Sequence, residues 1–324
     1  MPTWSREPSR QRGRDFSKAR SRQLRLDFLS HIAYDHNDLP ELTAKRVAVT
    51  PSLAGQLEAW ADARLGVALH WLFRIGVFME FVGHGAAGWA MKPAWAKYFM
   101  VFGFDEHTTY VLMPIVGAID VALGILGLVS PRRWALLYCA AWGLMTAMLR
   151  PMAGESFWEV LDRAGNYGGP LAFLILSGWP RTARAWTEPI RWRPVTRTAL
   201  RNVAVVLRWI TVLILIGHGG YGAFLHKPLL LDQYTRSGLT SLPAVGSSVM
   251  PGLGWLEIAL GIAIALRPLR ALVLVACILK IGTELLYPVT GYPLYEFVER
   301  GFTYVAPFAL FLLTPYLNDP SSKG

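Results

Sequence analysis

Slid against itself by 137 positions, the sequence lays Thr146 on Thr283, Pro151 on Pro288, Gly154 on Gly291, Glu159 on Glu296, Arg163 on Arg300, Tyr167 on Tyr304 and Pro170 on Pro307. Upstream the offset shortens to 134, and Arg74, Gly83, His84, Gly85 and Gly88 fall on Arg208, Gly217, His218, Gly219 and Gly222. Asp120 with Gly124 answers Glu257 with Gly261, again at 137. Self-similarity over so long a period means one structural unit used twice, and residues held in both copies become the shortlist for function.

What kind of unit follows from polarity. Mean hydropathy is +0.33, with 53% hydrophobic and only 17% charged residues, which is too apolar for a soluble protein of 324 residues. Crossing about 30 Å of hydrocarbon takes roughly 17 to 25 helical residues. Stretches of that length predict an all-α, polytopic membrane protein with eight transmembrane helices, arranged as two parallel four-helix-bundle repeats. The first repeat, 61–180, has spans near 65–90, 110–129, 133–150 and 164–180; the second, 199–318, has spans near 202–225, 248–266, 270–287 and 301–317. Four spans per copy is an even number, so both copies enter the bilayer in the same direction, related by an axis along the membrane normal. Between them lies a basic linker, 181–198; a basic tail precedes them at 1–60 and a short one follows at 319–324.

Arginine and lysine set the orientation. Arg6, Arg10, Arg12, Arg14, Lys18, Arg20, Arg22 and Arg25 precede the first span, and Arg132, Arg133, Arg181, Arg184, Arg191, Arg193, Arg197, Arg201, Arg267 and Arg270 fall in alternate loops. The opposite loops carry Asp105, Glu106, Glu155, Asp162, Asp232 and Glu299. The positive-inside rule then places both termini in the cytoplasm of a cell membrane. The formal charge of +10 is concentrated in the tail and inner loops, where anionic lipid headgroups are the expected partner rather than nucleic acid. Residues 1–46 have no long apolar run, so no cleavable signal peptide is expected there. Leu53 to Leu65 could lie along the interface before the first span. The two cysteines, Cys139 and Cys277, form no C-x-x-C pair and are expected to pack.

An ionisable side chain inside a span costs about 2.5 to 3.5 kcal/mol on insertion scales and needs a partner, a cavity or a function. The spans hold Glu80, His84, Asp120, His218, Glu257, Lys280 and Glu284. In both copies glycine flanks the histidine, which lets a helix or a flat cofactor approach the imidazole; simple helix packing with one interhelical hydrogen bond would use the same glycines. Glu80, four residues before His84, could orient that ring, whereas Ile214 holds the corresponding place in the second copy. His84 and His218 could in principle ligate one haem from opposite faces. A second haem using His70 is opposed by Ala204 at the matching position. Lys280 and Glu284 would form a buried ion pair where the first copy has Gly143 and Ala147.

Glu-x3-Arg-x3-Tyr, as Glu159, Arg163 and Tyr167 and again as Glu296, Arg300 and Tyr304, would stack carboxylate, guanidinium and phenol on one helix face. A salt bridge with an aromatic anchor accounts for it; so does an anion site at the outer mouth built on Arg163 and Arg300. Arg74 and Arg208 are expected to reach lipid phosphates. No H-E-x-x-H, P-loop, G-x-S-x-G or regular Cys/His metal spacing occurs, so hydrolase, nucleotide-driven and metal-site readings have no support.

Arg74, His84-Gly85 and Lys92, repeated as Arg208, His218-Gly219 and Lys227, resemble the first helix of the DoxX-like family of small four-helix membrane proteins. Asp120, Gly124, Gly127 and Pro131-Arg132-Arg133, with Glu257, Gly261 and Pro268, resemble its second. The resemblance covers two fused units and implies a four-helix bundle in each; some relatives serve as membrane subunits of quinone-linked oxidoreductases. On this reading His84, His218, Asp120 and Glu257 are the candidate proton-transfer groups, and the two histidines with Tyr167 and Tyr304 the candidate cofactor contacts. Arg163, Arg300, Glu159, Glu296, Lys280 and Glu284 are the candidate substrate or anion contacts. No electron carrier is visible, so a redox partner protein or a bound cofactor, a quinone foremost, would supply electrons. A transporter for a small anion or lipid-like solute, and a non-catalytic membrane scaffold, are the competing readings.

Overall fold

A computed structural model describes residues 53–243 and 246–317, and these are helical apart from connectors and one isolated bridge between Arg132 and Pro189. The arginines expected to meet lipid in the tail, and the segment 319–324, lie outside the described residues. In chain order the helices are α1 (Leu53–Trp89), α2 (Ala96–Met100), α3 (Glu106–Val129), α4 (Arg133–Met152), α5 (Trp158–Asp162), α6 (Ala164–Leu176) and α7 (Ala183–Thr187). They continue as α8 (Arg197–Gly220), α9 (Pro228–Arg236), α10 (Val249–Leu266), α11 (Arg270–Val289), α12 (Leu294–Val298) and α13 (Gly301–Leu317).

Local chemistry explains the boundaries. Asp105 caps α3, its carboxylate accepting from Thr108 N at 2.6 Å, and Thr196 caps α8 through Ala199 N at 3.2 Å. Pro93 and Pro228 each occupy the first turn after Lys92 and Lys227, where a missing N–H costs nothing. The residue before each of those lysines is left-handed without being glycine, Met91 at φ 47° and His226 at φ 46°. A sharp turn therefore ends the long helix at the same point of both halves. Gly154 and Gly291, after α4 and α11, share φ +85°.

Six helical segments are long and apolar enough to cross a membrane: Ala61–Trp89, Glu106–Val129, Arg197–Leu225, Val249–Leu266, Arg270–Val289 and Leu294–Leu317. The two further spans expected at 133–150 and 164–180 are α4 and α6. The first of these includes Arg133 and Arg150, and the second has 13 residues, about 20 Å at 1.5 Å per residue. Nor is there a separate interfacial helix at 53–65, since α1 runs unbroken for 37 residues. Large aliphatic side chains point outward along the long helices, Leu266 at 80% and Ile278 at 62% exposure, as lipid contact requires.

The main hydrophobic cluster runs through α1, α3, α4, α6, α8, α10, α11 and α13, with Phe73, Phe173, Leu207 and Phe302 fully buried in it. Glycine makes the closest approaches. A Cβ on Gly83 of α1 would collide with the backbone of Glu299, and one on Gly217 of α8 with the backbone of Asp162. Each long helix is thus clamped by the far half of the chain. The linker is docked rather than loose. Arg133 donates to Ser177 O at 2.7 Å, Gly178 O at 2.9 Å and Ala185 O at 3.1 Å, and Ile190 N donates to Pro131 O at 2.7 Å. Arg208 likewise donates to Ile264 O and Ala265 O at the end of α10, so it caps a helix where a lipid phosphate was expected.

Candidate functional site

His84 and Asp120 meet where α1 crosses α3. The crossing is close because Gly85 and Gly88 lie against the Gly117 backbone and the Met113 carbonyl, where a Cβ on either would collide. His84 Nδ1 is 3.0 Å from Asp120 Oδ2, and Asp120 is 1% exposed. The carboxylate fixes the ring and leaves Nε2 as its one uncommitted nitrogen. That ring lies 4.4 Å from the Trp95 ring, and together they form the wall of a cleft of about 80 Å³. Tyr98, Phe99, Phe102 and Trp142 supply further aromatic wall, and Arg150 and Arg163 close its end. The surface is apolar and aromatic with a histidine set into it, the composition typical of sites for flat, weakly polar ligands.

The same crossing in the second half is built differently. His218 Nδ1 is 2.6 Å from Glu257 Oε2, where α8 meets α10. Lys280 reaches into this corner from α11, 3.5 Å from Glu257 Oε1 and 3.1 Å from Glu284 Oε1, and Arg300 Nε is 3.2 Å from Glu284 Oε2. Lys280 is fully buried and both acids are 2% exposed. The expected Lys280 and Glu284 pair is therefore present, enlarged to a chain running from His218 to Arg300. Where the first half has Gly143 and Ala147, this half is filled with charge.

Between the two halves lies a larger cavity of about 540 Å³. Lys92 Nζ is 2.5 Å from Glu296 Oε1, and Lys227 Nζ is 2.6 Å from Glu159 Oε1, so each lysine pairs with the acid of the opposite half. Glu159 Oε2 also holds Arg163 at 2.8 Å and Arg150 at 3.3 Å. Burial alone would raise the Glu159 pKa, but the charges of Arg163, Lys227 and Arg150 outweigh it and hold the carboxyl far below its ordinary value. Arg150 further donates to Tyr98 OH at 2.8 Å, and Tyr98 donates to Glu155. Burial, partly offset by Arg150, pushes the Tyr98 phenol above its ordinary value.

The repeated Glu-x3-Arg-x3-Tyr does not form one helical stripe. The chain breaks between α5 and α6 at Arg163, and Tyr167 donates back across the break to Val160 O at 3.2 Å. Tyr304 does the same to Phe297 O at 3.1 Å. Both guanidinium groups are committed to carboxylates: Arg163 to Glu159 and Asp162, Arg300 to Glu284, Glu296 and Glu299. Glu80 does not orient His84; its Oε2 is 3.5 Å from Phe302 N on α13, and Asp120 takes the expected role. Among the described residues no group of three or more His, Cys, Asp or Glu side chains could hold a metal ion.

No protein-family model, curated protein or solved structure matches this chain.

Sequence reasoning missed the aromatic wall, because Trp95, Tyr98, Phe99 and Phe102 lie in a connector outside the repeated positions. It also missed the crossed lysine contacts. Their signal was the Lys-Pro dipeptide at 92–93 and 227–228, which the repeat had brought into register.

Proposed function

We propose that this protein is a DoxX-like, eight-span membrane protein of two parallel four-helix units, with both termini in the cytoplasm, and a membrane subunit of a quinone-linked redox system. The observation that carries the reading is the His84 and Asp120 pair set into an aromatic cleft. Trp95, Phe99, Phe102 and Trp142 would hold a quinone-type ring, and His84 Nε2 would meet a ring oxygen. A bound quinone supplies two-electron, two-proton chemistry in the bilayer. Asp120 keeps Nδ1 protonated and stabilises the imidazolium, so His84 can give a proton to an oxygen in the cleft or take one from it. Helices α4 and α6 complete the eight spans. Haem held between His84 and His218 gains no support, because His84 faces a cleft lined only by residues up to Arg163, whereas His218 packs against Glu257 and Tyr221.

The test is quinone extraction and a reduced-minus-oxidised visible spectrum of protein purified in mild detergent. Near-stoichiometric quinone is expected in the wild type, with at least a tenfold loss in H84A and D120N, and no haem bands. A blank extraction together with no quenching of tryptophan fluorescence by added short-tailed quinone overturns the reading. The cavity between the halves favours a second reading, passage of a small anion past Lys92, Arg150 and Lys227. Flux into proteoliposomes that is lost in K92Q and K227Q would establish it.

A further inference from the structure

Behind the cleft, His84, Trp142 and Thr146 also line a second, smaller cavity of about 10 Å³, completed by Glu80, Phe81, Gly143 and Asn166. That is about the volume one water molecule requires, given two or more polar partners. Glu80 lines this space, is 3% exposed, and has no hydrogen-bond partner on its Oε1. A buried carboxyl oxygen with no partner is destabilising unless something satisfies it. Besides Glu80 and His84, Thr146 on α4 and Asn166 on α6 bring polar groups to the lining. Charged and titratable groups surround Glu80 from three directions, with Arg163 before α6, Glu299 and Arg300 before α13, and Tyr304 on α13. The second half has Ile214 at the position of Glu80 and Lys280 at that of Gly143, so it has neither the acid nor the space.

We infer that Glu80 is a second proton site of the cleft, joined to His84 by one water held in this cavity. The inference rests on the proposed ligand cleft but deepens it, by giving the first half a proton reserve that the second half lacks. The step conserves every atom. The Glu80 carboxylic acid gives its proton to the water oxygen while the water gives one of its own to His84 Nε2, leaving a carboxylate, the same water and an imidazolium held by Asp120. The forward step restores His84 after a ligand in the cleft has taken its proton, and the reverse step recharges Glu80 when a ligand in the cleft gives a proton to His84.

Infrared difference spectroscopy of the protein in lipid, stepped in pH with no ligand, tests this. A carboxylic-acid C=O band is expected that is missing in E80Q and displaced in H84Q. It should also be displaced in N166L, which keeps the carboxyl and removes a partner of the water. Unchanged spectra in E80Q, or an E80-dependent band indifferent to both H84Q and N166L, overturn the inference. With a short-tailed quinone as probe, one linked proton allows Kd to change up to tenfold per pH unit, and that slope should flatten in E80Q with binding otherwise retained. Absence of quinone binding at every pH would defeat the proposed cleft ligand while leaving the ligand-free infrared result to decide the role of Glu80.

Discussion

Two histidines that read alike in the sequence sit in different surroundings, and single residues make the difference. Lys280 stands where Gly143 does in the first half, and its ammonium is enclosed by Glu257 and Glu284. Removing one partner of a buried cluster leaves uncompensated charge. K280M is therefore expected to destabilise the protein by about 3 to 5 kcal/mol, read as a lowered unfolding midpoint in detergent. The double change K280G/E284A, which installs the first-half residues, should recover part of that loss. Glu159 gives a pH signature. Its pKa is depressed in the folded state, so it contributes stability above its ordinary value of 4.5, which is lost as pH falls through the depressed value. Acidification below about pH 4.5 should therefore lower the thermal midpoint more steeply in the wild type than in E159Q.

At the level of helices, the connectors hold more structure than their composition suggests. Arg133 ties the end of α6 and α7 to the start of α4 through three carbonyls. Hydrogen bonds from a charged donor are worth about 1.5 to 3 kcal/mol each at most. R133A should expose 178–196 to protease at least several-fold faster, with the long helices still intact by circular dichroism. The long helices were legible because 20-residue apolar runs are local signals. The break at Arg163 was not. Periodicity ran straight through it, and only the packing of Tyr167 back onto Val160 O reveals it. The His84 and Asp120 contact was within reach because the repeat answers them with His218 and an acid, Glu257, although Glu80, nearer in sequence, was the partner expected. Four residues on one face of a helix bring side chains near each other, but the glycine-lined crossing of α1 and α3 brings Asp120 nearer still.

For the molecule as a whole, the crossed contacts from Lys92 to Glu296 and from Lys227 to Glu159 make the two halves depend on each other. K92E should weaken the protein, and the charge swap K92E/E296K should restore part of the loss. A double-mutant cycle in the unfolding midpoint would give the coupling, expected at about 0.5 to 3 kcal/mol. The exchange of lysines has a further consequence. A half standing alone would carry one lysine with no acid to reach and one buried glutamate with no lysine, and the glycine clamp at Gly83 would close on nothing. Two separate copies facing each other would satisfy both needs at once. The first half expressed by itself is accordingly expected to be a homodimer, its interface isologous. Covalent fusion releases such a pair from identity, leaving one copy with an open cleft and the other free to fill the same corner with Lys280 and Glu284.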